Sequence, residues 1–292
     1  MKALARVRGS LAYRSMLLYR PVLEWLPPPS LEKPRMPLTF LTFGGDAHRP
    51  MIRECLASLQ LAWPQLPRVR VVTDGVLDPA VVRRDLSWWR GSLECVSWRD
   101  VAERLAEPRF ATLVRFAERD AMGRKMAAVV ASALDGPTLY SDVDILWFRF
   151  PPTLERLLVS PGTKLAMSPD YQPTYDRDLV PGRLPHLANP PYFCAGLLYA
   201  EGDLLAACDV SALLEHAAER GIGVTEQTIL AEMDHRLGAR IWPAEEIALW
   251  EEDRVSLGPS FRGRPWAARH YVGAVRHIFW RDALALRAGL KP

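Results

Sequence analysis

Two carboxylates separated by one residue, Asp142-Val143-Asp144, are the sharpest chemical signal in the chain. At a turn after a buried strand, such a pair brings oxygen ligands to one hard divalent cation and leaves positions for phosphate oxygens and water. The flanks are strongly apolar, Leu139-Tyr140 before and Ile145-Leu146-Trp147-Phe148 after. Two unpaired carboxylates beside them carry a large desolvation cost unless a cation offsets it. An isolated Asp-x-Asp is common by chance, and its alternative reading is a pair of solvated turn residues. A second group near the C-terminus complements the first: His270, Gly273 and Arg276 in "HYVGAVRH". An imidazole gives a third protein ligand, a glycine lets backbone approach phosphate, and a guanidinium grips phosphate oxygens. A register with His277 as the ligand fits the glycine and basic spacing less well.

These groups need a scaffold, and the pattern of the chain provides one. Residues 38–45 and 68–75 are β-rich runs closed by Gly-Gly and Asp-Gly, and 49–63 between them has helical apolar spacing. Helices are expected over 99–105 and 109–136, the latter stopping at Asp135-Gly136. A buried strand follows over 137–148 with the carboxylates at its end, where ligands bind in open α/β sheets. Further strands are expected at 163–170, 192–200 and 239–243, with helices at 209–221 and 225–238. The alternation predicts an α/β fold with a mostly parallel sheet flanked by helices, in one domain.

Composition narrows the function. A chain of 292 residues, 49% hydrophobic, supports a large core. Cys55, Cys95, Cys194 and Cys208 form no CxxC pair, and the six histidines form no HExxH, so any metal is held mainly by oxygen. Residues 1–35 hold seven Lys/Arg and two Asp/Glu (+5), which leaves 30 basic and 32 acidic residues (−2) for 36–292. A nearly neutral body argues against a nucleic-acid partner. The first 35 residues read as a basic arm broken at Pro27-Pro28-Pro29. Either it is a helix packed on the domain, or it lies on an anionic membrane with Leu11, Met16, Leu17 and Leu18 on its apolar side. Without an apolar run of eighteen residues or a secretory leader, the expected location is the cytoplasm, with a peripheral place at the inner face of the membrane if the arm lies on lipid.

The order of these blocks resembles the GT-A glycosyltransferases, and more narrowly the retaining family 8-like enzymes related to glycogenin and the bacterial galactosyltransferases. "GRKMAAVVASALDGPTLYSDVDILWF" reproduces their basic residue, helix and strand ending in Asp-x-Asp, and "HYVGAVRH" matches their HxxGxxK block. The resemblance implies a GT-A fold with a Rossmann-like mixed sheet over 36–292, and a cation, Mn²⁺ or Mg²⁺, held by Asp142, Asp144 and His270. It implies a nucleotide-sugar donor, UDP-linked, with Gly273 and Arg276 at the diphosphate. Asp170 is assigned to donor-sugar hydroxyls, and Gln227 in "TEQTIL" to the neighbourhood of the anomeric carbon. A helix N-terminal turn capped by Thr225 is the alternative for that block. Lys125 or Arg124 would neutralise phosphate or hold the Asp-x-Asp turn. Asp46 and Asp74, after the first two strands, are candidate base and ribose contacts. The expected acceptor is a glycan, and the basic arm, if it lies on a membrane, fits a lipopolysaccharide or lipid-linked acceptor; the outcome that the resemblance implies is retention.

One departure stands out: Phe193-Cys194-Ala195-Gly196 has cysteine where the family has an asparagine that contacts the sugar. Gly196 still permits close approach. The rival readings are an inverting transferase with Glu226 or Asp234 as base, and a catalytically silent binding protein of the same fold. A two-metal phosphatase or nuclease needs more clustered ligands, and a Rossmann dehydrogenase needs a GxGxxG that is absent. The tryptophan-rich stretches 88–98 and 242–280 suit sugar rings or the core.

Overall fold

Phe40 and Leu41, with Val69, Val71 and Val72, are fully buried, as expected for strands covered on both faces. They belong to Arg35–Gly44 (β1) and Leu66–Thr73 (β2). Lys2–Trp25 (α1) precedes these strands and Arg49–Ala62 (α2) joins them, with proline in the first turn where a missing N–H is tolerated. The computed structural model describes residues 2–238, 240–249, 256 and 258–291. Ala239 of the expected 239–243 strand and Trp250 of the aromatic stretch lie outside the described residues. After β2 come Pro79–Asp85 (α3), Leu93–Ser97 (β3), Trp98–Arg104 (α4), Ala111–Arg119 (α5), Ala121–Asp135 (α6), Thr138–Ser141 (β4) and Ile145–Trp147 (β5). Pro152–Val159 (α7), Lys164–Asp170 (β6), Tyr192–Glu201 (β7), Leu204–Ala207 (α8), Ser211–Arg220 (α9) and Thr225–Arg236 (α10) follow. The chain ends with Arg240–Ile241 (β8), Ile247–Ala248 (β9), Ala268–His270 (β10) and Arg276–Arg287 (α11).

A seven-stranded sheet has the order β3-β2-β1-β4-β7-β6-β8. β1 is parallel to β2 and β4, β2 to β3, and β6 to β8, whereas β7 runs antiparallel to both neighbours. The α/β class expected from the alternation and the mixed sheet implied by the resemblance are therefore the observed ones. A small sheet, β5-β10-β9, adds to it. The single strand expected over 137–148 is divided: β4 lies in the large sheet, β5 in the small one, and the Asp142–Asp144 turn bridges them.

Two apolar clusters cover the two faces of the large sheet. One joins α2, α11 and the small sheet, and the other joins α5, α6, α9 and α10. Every residue from Met126 to Ala133 is buried, so α6 is apolar all round, as an internal helix must be. The expected 109–136 helix is broken at Asp120, which caps α6 by accepting from the Met122 N–H at 2.7 Å. A Cβ at Gly123 would lie 2.5 Å from the Phe116 carbonyl oxygen, so glycine is what lets α6 cross α5 so closely. α1 packs on α11: Leu23 is buried, and Met16 and Tyr19 rest against the core, so Met16 faces inward rather than joining an outer apolar side. Trp89, Trp242, Trp266 and Trp280 are also core residues.

Candidate active site

His270 reaches the Asp-x-Asp turn because β10 pairs antiparallel with β5, placing His270 opposite Ile145. The Tyr271 N–H donates to the Asp144 carbonyl at 2.9 Å and extends that pairing into the turn. His270 Nε2 then lies 3.1 Å from Asp144 Oδ1 and 3.6 Å from Asp142 Oδ2. One ligand atom from each of the three residues lies within 4.8 Å of the others. His277 instead sits on α11, its ring 5.9 Å from that of Tyr13.

Asp142 is fixed from several sides. Its N–H donates to the Gly196 carbonyl at 2.6 Å, and Tyr140 donates its hydroxyl to Oδ1 at 2.5 Å. Lys125, fully buried on α6, lies 3.6 Å from Asp142 Oδ1 and 3.4 Å from Glu226 Oε1. Gly196 faces the ligands directly: a Cβ there would fall 2.1 Å from His270 Cε1 and 2.9 Å from Asp142 Oδ2. The Cys194 sulfur lies 3.6 Å from His270 Nδ1 and accepts from the Gly196 N–H at 3.4 Å. Arg276 clasps Asp144 Oδ2 through Nε at 3.0 Å and Nη2 at 2.7 Å.

Two carboxylates and an imidazole suit a divalent cation, and the absence of a side chain at Gly196 is what lets the His270 ring and the Asp142 carboxylate come so close to that backbone. The residues present therefore fit such an ion. Burial works against the Asp144 charge, but the His270 ring and then the Arg276 guanidinium outweigh it and hold the carboxyl at about 2. For His270, burial opposes the charge and the Asp144 carboxylate more than offsets it, so its pKa is raised. Lys125 follows the same logic: burial disfavours its charge, and Asp142 and Glu226 restore it and raise its pKa. Burial pushes Glu226 up to about 7 against the pull of Lys125. Shifts of this kind within one group of buried side chains make it the candidate site.

Lys125, Glu226, Asp142 and His270 border a cavity of about 350 Å³ whose walls also include Asp170, Cys194 and Gln227. A larger cleft of about 650 Å³ lies between α1 and the turn at Asp46, so the titratable groups rather than size locate the site. No protein-family model and no curated protein matches the chain by sequence. The fold does match solved structures. Mouse xyloside xylosyltransferase 1, apo form, is similar over 80% of this chain and 96% of its own, at 15% identity and a TM-score of 0.53. The galactosyltransferase LgtC, solved with donor and acceptor sugar analogues, is similar over 87% of this chain and 96% of its own, at 17% identity and a TM-score of 0.50.

The chain has the GT-A glycosyltransferase fold.

Within this GT-A scaffold the structure gathers most of the expected residues and sets others apart. Asp142, Asp144, His270, Arg276, Lys125 and Gly196 form one contact network, and Gly273 borders the same cavity. Asp170, at the end of β6, accepts from the Gln172 N–H at 3.3 Å, and burial raises its pKa. Gln227 accepts from the Ala195 N–H at 3.1 Å and donates to the Thr174 carbonyl at 2.9 Å, strapping β7 to the loop after β6. Asp46, 74% exposed, pairs with Arg49 at 3.0 Å and borders the larger cleft. Asp74 accepts from the Val76 and Leu77 N–H groups at 3.0 Å each, and lies outside the 350 Å³ cavity. Arg124 donates to the Asp74 carbonyl at 2.9 Å and stacks on Trp98, a supporting role distinct from that of Lys125.

Three contacts were not anticipated. Tyr140 lies two residues before Asp142, and strand periodicity is the signal that points to it. The Cys194–His270 contact has no local signal. Thr225 does not cap α10, because Val224 holds the capping position and the Thr225 hydroxyl instead donates to Asp176 Oδ2 at 2.6 Å. Asp176 also faces His216 at 3.2 Å, so this second acid-imidazole group ties the 170–178 loop to α9 and α10. Asp234 is wholly buried on α10 and does not border the cavity.

Proposed function

We propose that the protein is a metal-dependent glycosyltransferase that moves a sugar from a nucleotide-sugar donor, UDP-linked, to a glycan or lipid-linked acceptor such as a lipopolysaccharide, with retention of anomeric configuration. Residues 36–292 form the transferase domain and 1–35 an arm. The carrying observation is the convergence of Asp142, Asp144 and His270 beside Gly196 and Lys125. A divalent ion held there, Mn²⁺ or Mg²⁺, would supply Lewis-acid neutralisation of the leaving diphosphate.

The protein's own residues account for the rest. Lys125 holds Asp142 in place while keeping a positive charge beside the cavity. Arg276, which holds Asp144 Oδ2 through Nε and Nη2, would be placed to grip phosphate oxygens of a donor beside that carboxylate. Gln227 and Asp170 line the cavity and are proposed for the donor sugar, and Asp46 and Asp74, which lie outside that cavity, are proposed for the nucleoside. In the transfer the bond from the anomeric carbon to diphosphate oxygen breaks, the acceptor oxygen bonds to that carbon, and the acceptor proton passes to the leaving phosphate. No protein nucleophile enters this sequence. The proposed setting is the cytoplasm at the inner face of a membrane; among the described residues, no helix is long and apolar enough to cross one.

One observation favours a second reading. Glu226 borders the cavity with its carboxyl pushed by burial to about 7, a value suited to a general base, which would give inversion. Calorimetry of UDP with and without Mn²⁺ tests the main reading: binding that requires the metal is expected, and binding indifferent to it sinks the proposal. Proton NMR of the product separates retention from inversion.

A further inference from the structure

α1 has two apolar faces, and only one is used inside the molecule. Met16, Tyr19 and Leu23 pack against the core. Leu11, Leu18, Val22 and Trp25 recur at helical spacing on the outer side, and they are 54%, 71%, 47% and 89% exposed. Leu17 beside them is 65% exposed. Scattered exposed leucines are ordinary, whereas a row along one helix marks an interaction surface.

The charge of the helix says what kind of surface it meets. Lys2, Arg6, Arg8, Arg14 and Arg20 stand against Glu24 alone within residues 2–25. A second copy of this helix would bring like charges together, and an anionic lipid surface would complement them. Trp25 at the end of the stripe has the amphipathic ring that settles at headgroup level. The helix also touches the site. Met16 and Arg20 line a cavity of about 530 Å³ that Gly273 and Arg276 share, and Gly273 borders the cavity of Asp142 and His270 as well.

We propose that α1 lies in the plane of an anionic bilayer through Leu11, Leu17, Leu18, Val22 and Trp25, and thereby presents the active site to an acceptor held in that surface. The second clause rests on the glycosyltransferase reading; the docking does not.

Co-sedimentation of the full chain with phosphatidylcholine vesicles, with and without phosphatidylglycerol, tests it. The protein is expected to sediment with the phosphatidylglycerol vesicles and to be released by salt. Leu18→Asp/Val22→Asp is expected to lower the bound fraction about tenfold. Its thermal melting curve and Mn²⁺-dependent UDP binding should match the parent's, because both side chains point away from the core. No vesicle binding by the parent, equal binding by parent and variant, or a dimer that the variant dissociates while vesicles are ignored would overturn the docking. Vesicle binding as expected, with no UDP binding in the parent, removes the transferase reading and leaves the docking intact.

Discussion

The Cys194 sulfur lies 3.6 Å from one ring nitrogen of His270 while the other ring nitrogen lies 3.1 Å from Asp144. The thiol thus sits where a ligating histidine needs a partner to fix its ring and tautomer. Cys194→Ala is expected to weaken Mn²⁺ binding about 10- to 100-fold, the range seen for hydrogen-bond partners of metal ligands, and Cys194→Ser to restore most of it. Titration of free Mn²⁺ by electron paramagnetic resonance measures both. An alanine variant that binds Mn²⁺ as the parent does would remove the positioning role.

Gly196 has no room for a methyl group. A Cβ there would fall 2.1 Å from the His270 ring, so one of the two must move. Gly196→Ala is expected to lower turnover about 100-fold, since displacements near 1 Å have that effect on positioned groups. Steady-state kinetics with saturating donor and metal is the check, alongside circular dichroism to show that the fold persists.

Lys125 bridges two carboxylates in a buried setting, at 3.6 Å and 3.4 Å. Lys125→Met leaves Asp142 and Glu226 without compensation, and a loss of about 3–5 kcal/mol of stability is expected from breaking such an arrangement. Adding Glu226→Gln to that variant should recover part of the loss. Urea denaturation of the metal-free proteins gives both values, and the absence of recovery would mean that Lys125 acts through packing alone.

Asp234 has a pH signature of its own. Burial pushes its carboxyl up to about 8, against the weaker pull of the Arg240 backbone and charge. Between the unfolded value near 4 and that folded value, the native state binds more protons than the unfolded chain. Stability is therefore expected to fall as pH rises from about 4 to 8, by an amount on the order of a few kcal/mol. Asp234→Asn should flatten that slope. Unfolding midpoints measured across the range decide the matter, and an unchanged slope in the variant assigns the effect elsewhere.

The parts of this molecule legible in the sequence are those with long, regular patterns. β1, α2, β2 and α6 follow from apolar periodicity and from Asp-Gly or Gly-Gly stops. Asp142, Asp144 and His270 were legible as chemistry because their types match one ion's needs. The small sheet was not: Ile145–Trp147, Ile247–Ala248 and Ala268–His270 are too short to show any period. The Cys194–His270 contact was hidden for another reason. The β6–β7 register jumps at Met167/Ser168, so that Met167 pairs with Leu198 while Ser168 pairs with Cys194, and an irregularity of this kind has no signature in a single chain. Asp120 is a third case: a single polar cap inside a continuous helical pattern leaves the periodicity of 109–136 intact, while in the fold it separates α5 from α6.

The pairing of β10 with β5 means that His270, the third candidate metal ligand, is delivered by a strand near the end of the chain. A nascent polypeptide still emerging from the ribosome holds both aspartates yet lacks the imbalance-correcting imidazole and guanidinium that arrive together afterwards. On the proposed function, a chain that stops before Ala268–His270 keeps both aspartates and has neither the imidazole nor the guanidinium, so such a truncation is expected to abolish metal-dependent UDP binding rather than weaken it.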